Sequence, residues 1–168
     1  MFPTLLIQLV ETHADNLVEG LLRKLKGSNR CPKLMQRVPA EELRRRVYEN
    51  YCHLGDWLLR KMEFEIEERY IGLGIRRARQ GVPLRELVWT LNTVKEYLWE
   101  YLEEEGLREE PVDFYGEREM LLSVERFFDR AVYFAAVGYE SVETQIEHAE
   151  GSRKTPAARE SERHMHSL

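Results

Sequence analysis

One short break, Gln80-Gly81-Val82-Pro83, constrains this chain more than any other feature. On both sides of it apolar residues recur at steps of three and four, the spacing of helices buried on one face. Gly81 can take a positive φ and end the first helix. Pro83 suits the first position of the second helix, where its missing N–H costs nothing. So short a link folds the second helix back antiparallel to the first. The flanking block from Gly72 to Leu87 also holds the most distinctive residues of the chain: Gly72, Gly74, Arg77, Gln80, Gly81 and Pro83.

The same periodicity predicts about five helices and no strands. The first runs from about Thr4 to Lys26, with Leu6, Leu9, His13, Leu17, Leu21 and Leu25 on one face. A connector over 28–38 holds at most a short turn at Lys33–Gln36. The second helix runs from Ala40 to Lys61 with the stripe Leu43, Val47, Tyr51, Leu54 and Leu58. The third runs from Phe64 to Gln80, with Phe64, Ile71, Ile75 and Ala78 on one side. No Gly or Pro separates it from the second. The fourth, from Pro83 to about Glu105, repeats Leu84, Leu87, Leu91, Val94, Leu98 and Tyr101. After a loop over 107–114, a long fifth helix runs from about Gly116 to Glu147. Its stripe is Leu121, Val124, Phe128, Ala131, Ala135, Gly138 and Val142, with Met120, Phe127 and Phe134 beside it. Two adjoining stripes mean burial on more than one side. The expected organisation is one helical domain over 1–148 and a polar tail over 149–168, where apolar content collapses.

The chain has 168 residues, 43% of them hydrophobic, enough for one domain with a real core. No apolar run approaches the ~18 residues of a membrane span. Met1 to Val10 lacks the basic start and small-residue cleavage site of a signal peptide. A cytoplasmic protein is therefore expected. The net charge of −5 argues against nucleic-acid binding, which favours a basic face. Two cysteines, Cys31 and Cys52, make no disulfide framework.

No constellation spells out a reaction. There is no Gly-x-Ser-x-Gly elbow and no phosphate loop, because Gly72 and Gly74 fall inside a helix. Each costs about 1 kcal/mol there relative to Ala, which suggests close approach of another helix or of a ligand. Cys52 and His53 are adjacent and point about 100° apart on a helix, so they do not share one metal. No Glu-x-x-His pair suggests a di-iron site. No metal site is assigned. Arg76, Arg77 and Arg79 complement the dipole at a helix C-terminus, or offer a contact to an acidic partner. The small residues Ala131, Ala135 and Gly138 let a second helix approach closely. That helix is the fourth of the same chain, or the fifth of a second copy across a two-fold axis. A homodimer through the Leu121–Val142 stripe is expected.

The block from Ala40 to Tyr139 resembles the N-terminal domain of RsbR- and RsbD-type regulators, the co-antagonists of the bacterial stressosome. The resemblance rests on Gly72, Gly74, Arg77, Ala78, Gln80-Gly81, Pro83-Leu84 and Glu86-Leu87. An aromatic-rich helix follows through Tyr97 and Trp99, and Pro39-Ala-Glu-Glu-Leu43 opens an upstream helix. It implies an all-α, globin-like fold, a sensory role in stress signalling, usually no haem, and a STAS-domain or kinase partner. A haem protein needs an axial ligand, most often His, facing an apolar pocket. Only His13 and His53 are candidates, and the stretch between His53 and His148 holds no histidine. The expectation is a non-enzymatic sensory module without a cofactor; the alternative is a haem-binding gas sensor.

Overall fold

The computed structural model describes residues 2–60, 63–104 and 114–154. Six helices follow in order: α1 Phe2–Lys26, α2 Pro32–Arg37, α3 Ala40–Arg60, α4 Glu63–Arg79, α5 Leu84–Glu104 and α6 Phe114–Lys154. No strand occurs among the described residues, so the fold is an all-α bundle, consistent with the globin-like arrangement the resemblance implies.

Three of the expected stripes form the core. Leu17, Leu21 and Leu25 of α1 are fully buried. Also buried are Leu43, Val47, Tyr51, Leu54 and Leu58 of α3, and Leu87, Leu91, Val94, Leu98 and Tyr101 of α5. The Leu6 and Leu9 side chains lie outside the described residues, as do most of the 107–114 loop and the tail from 155 onward. Residues 61–62, where the second and third expected helices meet, also lie outside them.

Four expectations change. The connector contains a whole short helix, α2, which Pro32 opens. The cap residue Cys31 makes no side-chain hydrogen bond to it. That task falls to Glu86, 52 residues away, whose Oε2 accepts the Leu34 N–H at 2.8 Å. Second, α4 turns a different face inward: Ile66, Tyr70, Gly74 and Arg77 are buried, whereas Phe64 is 72% exposed. Third, Pro83 occupies the cap just before α5 rather than its first turn, its carbonyl accepting the Leu87 N–H. Fourth, α6 continues past Glu147 to Lys154, so residues 149–154 are helical. At about 1.5 Å per residue it is roughly 60 Å long.

The turn itself is as expected. Gly81 has φ 70°. Its N–H donates to the Ala78 carbonyl and that of Val82 to the Arg77 carbonyl, the two bonds that close a helix C-terminus in a Schellman motif. Val82 is fully buried behind it. α5 reverses against α4 here, and α6 then runs parallel to α4: Glu63 pairs with Arg130, and further along Gly74 meets Ala135 and Tyr139.

Candidate functional site

Arg77 lies on the buried face of α4 and is 2% exposed. A guanidinium does not lose its proton in a protein, so burying it requires partners. Its Nη1 donates to Glu42 Oε1 at 2.7 Å and to Gln80 Oε1 at 2.6 Å. The Gln80 amide closes the triangle by donating to Glu42 Oε2 at 3.1 Å. Arg76 stands 3.8 Å from the same carboxylate. Burial pushes the Glu42 carboxyl up. The hydrogen bond and charge of Arg77, the Gln80 amide and the Arg76 charge outweigh it and hold Glu42 below the usual carboxylate range.

The Glu42–Arg77–Gln80 triangle joins the first turn of α3 to the last turn of α4. Gly81 and Pro83 turn the chain, and one turn into α5 Glu86 caps α2. The Gln80–Leu87 block therefore ties four helices together at one end of the bundle. Arg77 sits in the last turn of α4, where a cation complements the dipole, but it is a buried ion pair and not an exposed partner contact. Arg76 and Arg79 remain exposed.

Gly72 and Gly74 separate in role. A Cβ on Gly74 would lie 2.8 Å from both the Ala135 carbonyl carbon and the Tyr139 nitrogen. A Cβ on Gly138 would lie 2.9 Å from Ile71 Cα. The two glycines thus let the backbones of α4 and α6 touch. Gly72 has open space around it.

The expected interface on α6 is corrected by the same contact. Val124, Phe128, Ala131, Ala135, Gly138 and Val142 are buried within this chain, and the helix filling the small-residue track is α4, not α5. Leu121 alone of that set is exposed. The stripe is spent on the core because α4 carries the matching glycine. The surface that α6 offers instead holds Leu122, Tyr133 and Val137, spaced along its outer side. Beyond Val142 every described residue from 143 to 153 is exposed, including Ile146 at 54%.

The two histidines weighed as haem ligands lie on α1 and α3. His13 is half-buried with its ring 6.0 Å from that of Tyr101. His53 borders a cleft of about 10 Å³, the size of one water molecule. Burial and the Arg69 charge push its pKa down, against the smaller pull of Glu49 and Asp56. A larger groove of about 490 Å³ between α1 and α3 is open and lined mainly by charged side chains, among them Asp15, Glu41 and Arg45. Among the described residues no group of three His, Cys, Asp or Glu side chains could hold a metal ion, and no helix is long and apolar enough to cross a membrane.

Sequence reasoning missed Glu42 as a partner of Arg77. The signal was there in the spacing: Ile66, Tyr70, Gly74 and Arg77 follow at steps of four, four and three, which places a charge on a buried face. Trp57 was also missed.

No curated protein and no solved structure is significantly similar to this chain. The family model described as the RsbT co-antagonist protein rsbRD N-terminal domain matches residues 11–153. That match takes in the ion-pair triangle, the capped turn and nearly all of α6, and by it this chain belongs to the rsbRD N-terminal domain family, sensory and regulatory modules of stress-response signalling.

Proposed function

We propose that the chain is a non-enzymatic sensory module that works as a homodimer and hands a change in helix packing to a signalling partner, a STAS-domain or kinase protein, through α6. The observation that carries the reading is the far end of α6. Residues 143–153 form a helix that is exposed throughout among the described residues. A helix exposed all round draws little stability from packing, and most helix stability in proteins comes from packing. Ile146 extends the buried row of Ala135, Tyr139 and Val142 into that uncovered end. Leu122, Tyr133 and Val137 leave further apolar surface along the outer side. A second α6 packed against the uncovered end would cover Ile146.

Glu42, Arg77 and Glu86 fix one end of the bundle, and α6, running parallel to α4, reaches out past that same end. A shift of α4 against α6 would be transmitted along α6 because their backbones touch at Gly74 and Gly138. No haem is assigned to the module.

The test is light scattering on sized protein, wild type against Tyr133→Asp/Ile146→Asp. The expected result is a dimer that becomes a folded monomer in the variant. A wild-type monomer, or a variant that stays dimeric, would overturn the assignment of the dimer to α6.

A further inference from the structure

The uncovered end of α6 carries a charge pattern of its own. Glu140, Glu143, Glu147 and Glu150 follow at steps of three, four and three, one stripe along the helix, with no Lys or Arg until Arg153. All of them are exposed. The stripe lies about a quarter turn around the helix from the row of Tyr139, Val142 and Ile146. Like charges at such spacing destabilise a helix, so cations brought to the stripe would stabilise it. The chain itself brings one to its start. The Leu84 N–H donates to the Tyr139 hydroxyl, and the charges of Arg85 and Glu143 both act on that hydroxyl. Glu147 and Glu150 lie about 6 and 10 Å further along the axis than Glu143.

The bundle end that α6 passes is cationic. Arg37 reaches from α2 to the Gly81 turn, where its Nη1 donates to the Gln80 carbonyl at 3.4 Å and its guanidinium lies over Gly81. Arg79 ends α4 and Arg85 lies in the first turn of α5, on either side of the same turn. All three are exposed. Glu42, a carboxylate at this end, is already committed to Arg77, with Arg76 3.8 Å away. The opposite end has the reverse sign: Glu63, Glu65, Glu67 and Glu68 open α4, and Glu103 and Glu104 close α5. An acidic helix beside a cationic face is a self-complementary pair, because a two-fold axis sets each against its counterpart on the other copy. We infer that in the dimer proposed above, on which this contact rests, Glu147 and Glu150 of each α6 lie against Arg37, Arg79 and Arg85 of the second copy. The acidic end of the bundle would repel the same stripe, so charge also selects which end of the partner it meets.

The test uses two variants changed only at exposed positions, Arg79→Glu/Arg85→Glu and Glu147→Arg/Glu150→Arg. Each is checked for wild-type helicity by circular dichroism and sized by light scattering at low salt, alone and mixed in equal amounts. Alone, each variant sets like charges against each other at both contacts, and its dimer dissociation constant should rise at least about tenfold. In the mixture every face meets a stripe of opposite sign, so a heterodimer should form about as tightly as the wild-type dimer. The wild-type dimer should also weaken as salt rises, because exposed charges are screened. A wild-type monomer would refute the dimer itself. A wild-type dimer whose variants dimerise alone equally well would refute this contact and leave the dimer standing. Variants that stay monomeric when mixed would refute it too, since the two surfaces would then not meet each other. A wild-type dimer indifferent to salt would overturn the contact even if a variant failed to fold.

Discussion

Replacing Gly74 and Gly72 separately by Ala should move stability in opposite directions, although the two positions are neighbours on one helix. At Gly74 the new Cβ would lie 2.8 Å from the Ala135 carbonyl carbon and the Tyr139 nitrogen, and closer still to the Ala135 carbonyl oxygen. Unstrained carbon contacts need about 3.5–4.0 Å, so α4 and α6 must part by about 1 Å. A gap of that size forfeits between a quarter and a half of the dispersion energy at each contact, and overpacking typically costs about 1–3 kcal/mol, occasionally more. Better helix propensity returns at most about 1 kcal/mol. The contacting atoms are backbone and cannot rotate aside, so the upper part of the range applies, a net loss of about 2–3 kcal/mol. At Gly72 the Cβ meets nothing, and Ala should gain about 0.5–1 kcal/mol. Urea unfolding followed by circular dichroism, at one fixed protein concentration, measures both. A chain of this size shifts its midpoint temperature by about 2–4 °C per kcal/mol. Gly74→Ala should melt roughly 5–10 °C below wild type, and Gly72→Ala slightly above it. If Gly74→Ala matched wild type, the direct backbone contact of α4 with α6 would be wrong.

Removing Glu42 alone strands the Arg77 guanidinium, so Glu42→Ala should cost about 3 kcal/mol, less than a fully isolated charge because Gln80 still accepts. The double variant Glu42→Met/Arg77→Met should recover most of that loss in the same unfolding assay; failure to recover would deny that the stranded charge is the cause. Because its folded pKa is lowered, Glu42 contributes its full stability above the ordinary carboxylate range and loses it as pH falls below that range through its lowered folded pKa. Wild type should therefore destabilise more steeply on acidification than Glu42→Gln. Glu86→Ala leaves the Leu34 N–H without its acceptor and should cost about 1–3 kcal/mol. Hydrogen exchange should rise first in α2, and unchanged protection there would refute the cap.

Local chemistry made part of this fold readable, and distance hid the rest. The reversal at Gly81 and the stripes of α3 and α5 depend on residues at most a few turns apart, so spacing alone found them. The short helix α2 depends on Glu86, far along the chain, and its own sequence carries only Pro32 as a start signal. The face of α4 was misread because a periodicity of apolar residues counts Phe64 as buried and Arg77 as exposed. The structure reverses both, since a paired arginine can hold a core position that an unpaired one cannot. The small-residue track on α6 was legible as a close helix contact, but a track does not say whose helix fills it. Its partner was marked elsewhere, by the cost of a glycine at position 74 inside a helix, and only the fold brings Gly74 and Gly138 to one crossing. Once α4 fills that track, the apolar surface left on α6 is the outer set of Leu122, Tyr133 and Val137, and Ile146 on the inner row beyond the core. The case for a second copy therefore moves from the stripe that repeats most cleanly to the residues that the core leaves uncovered.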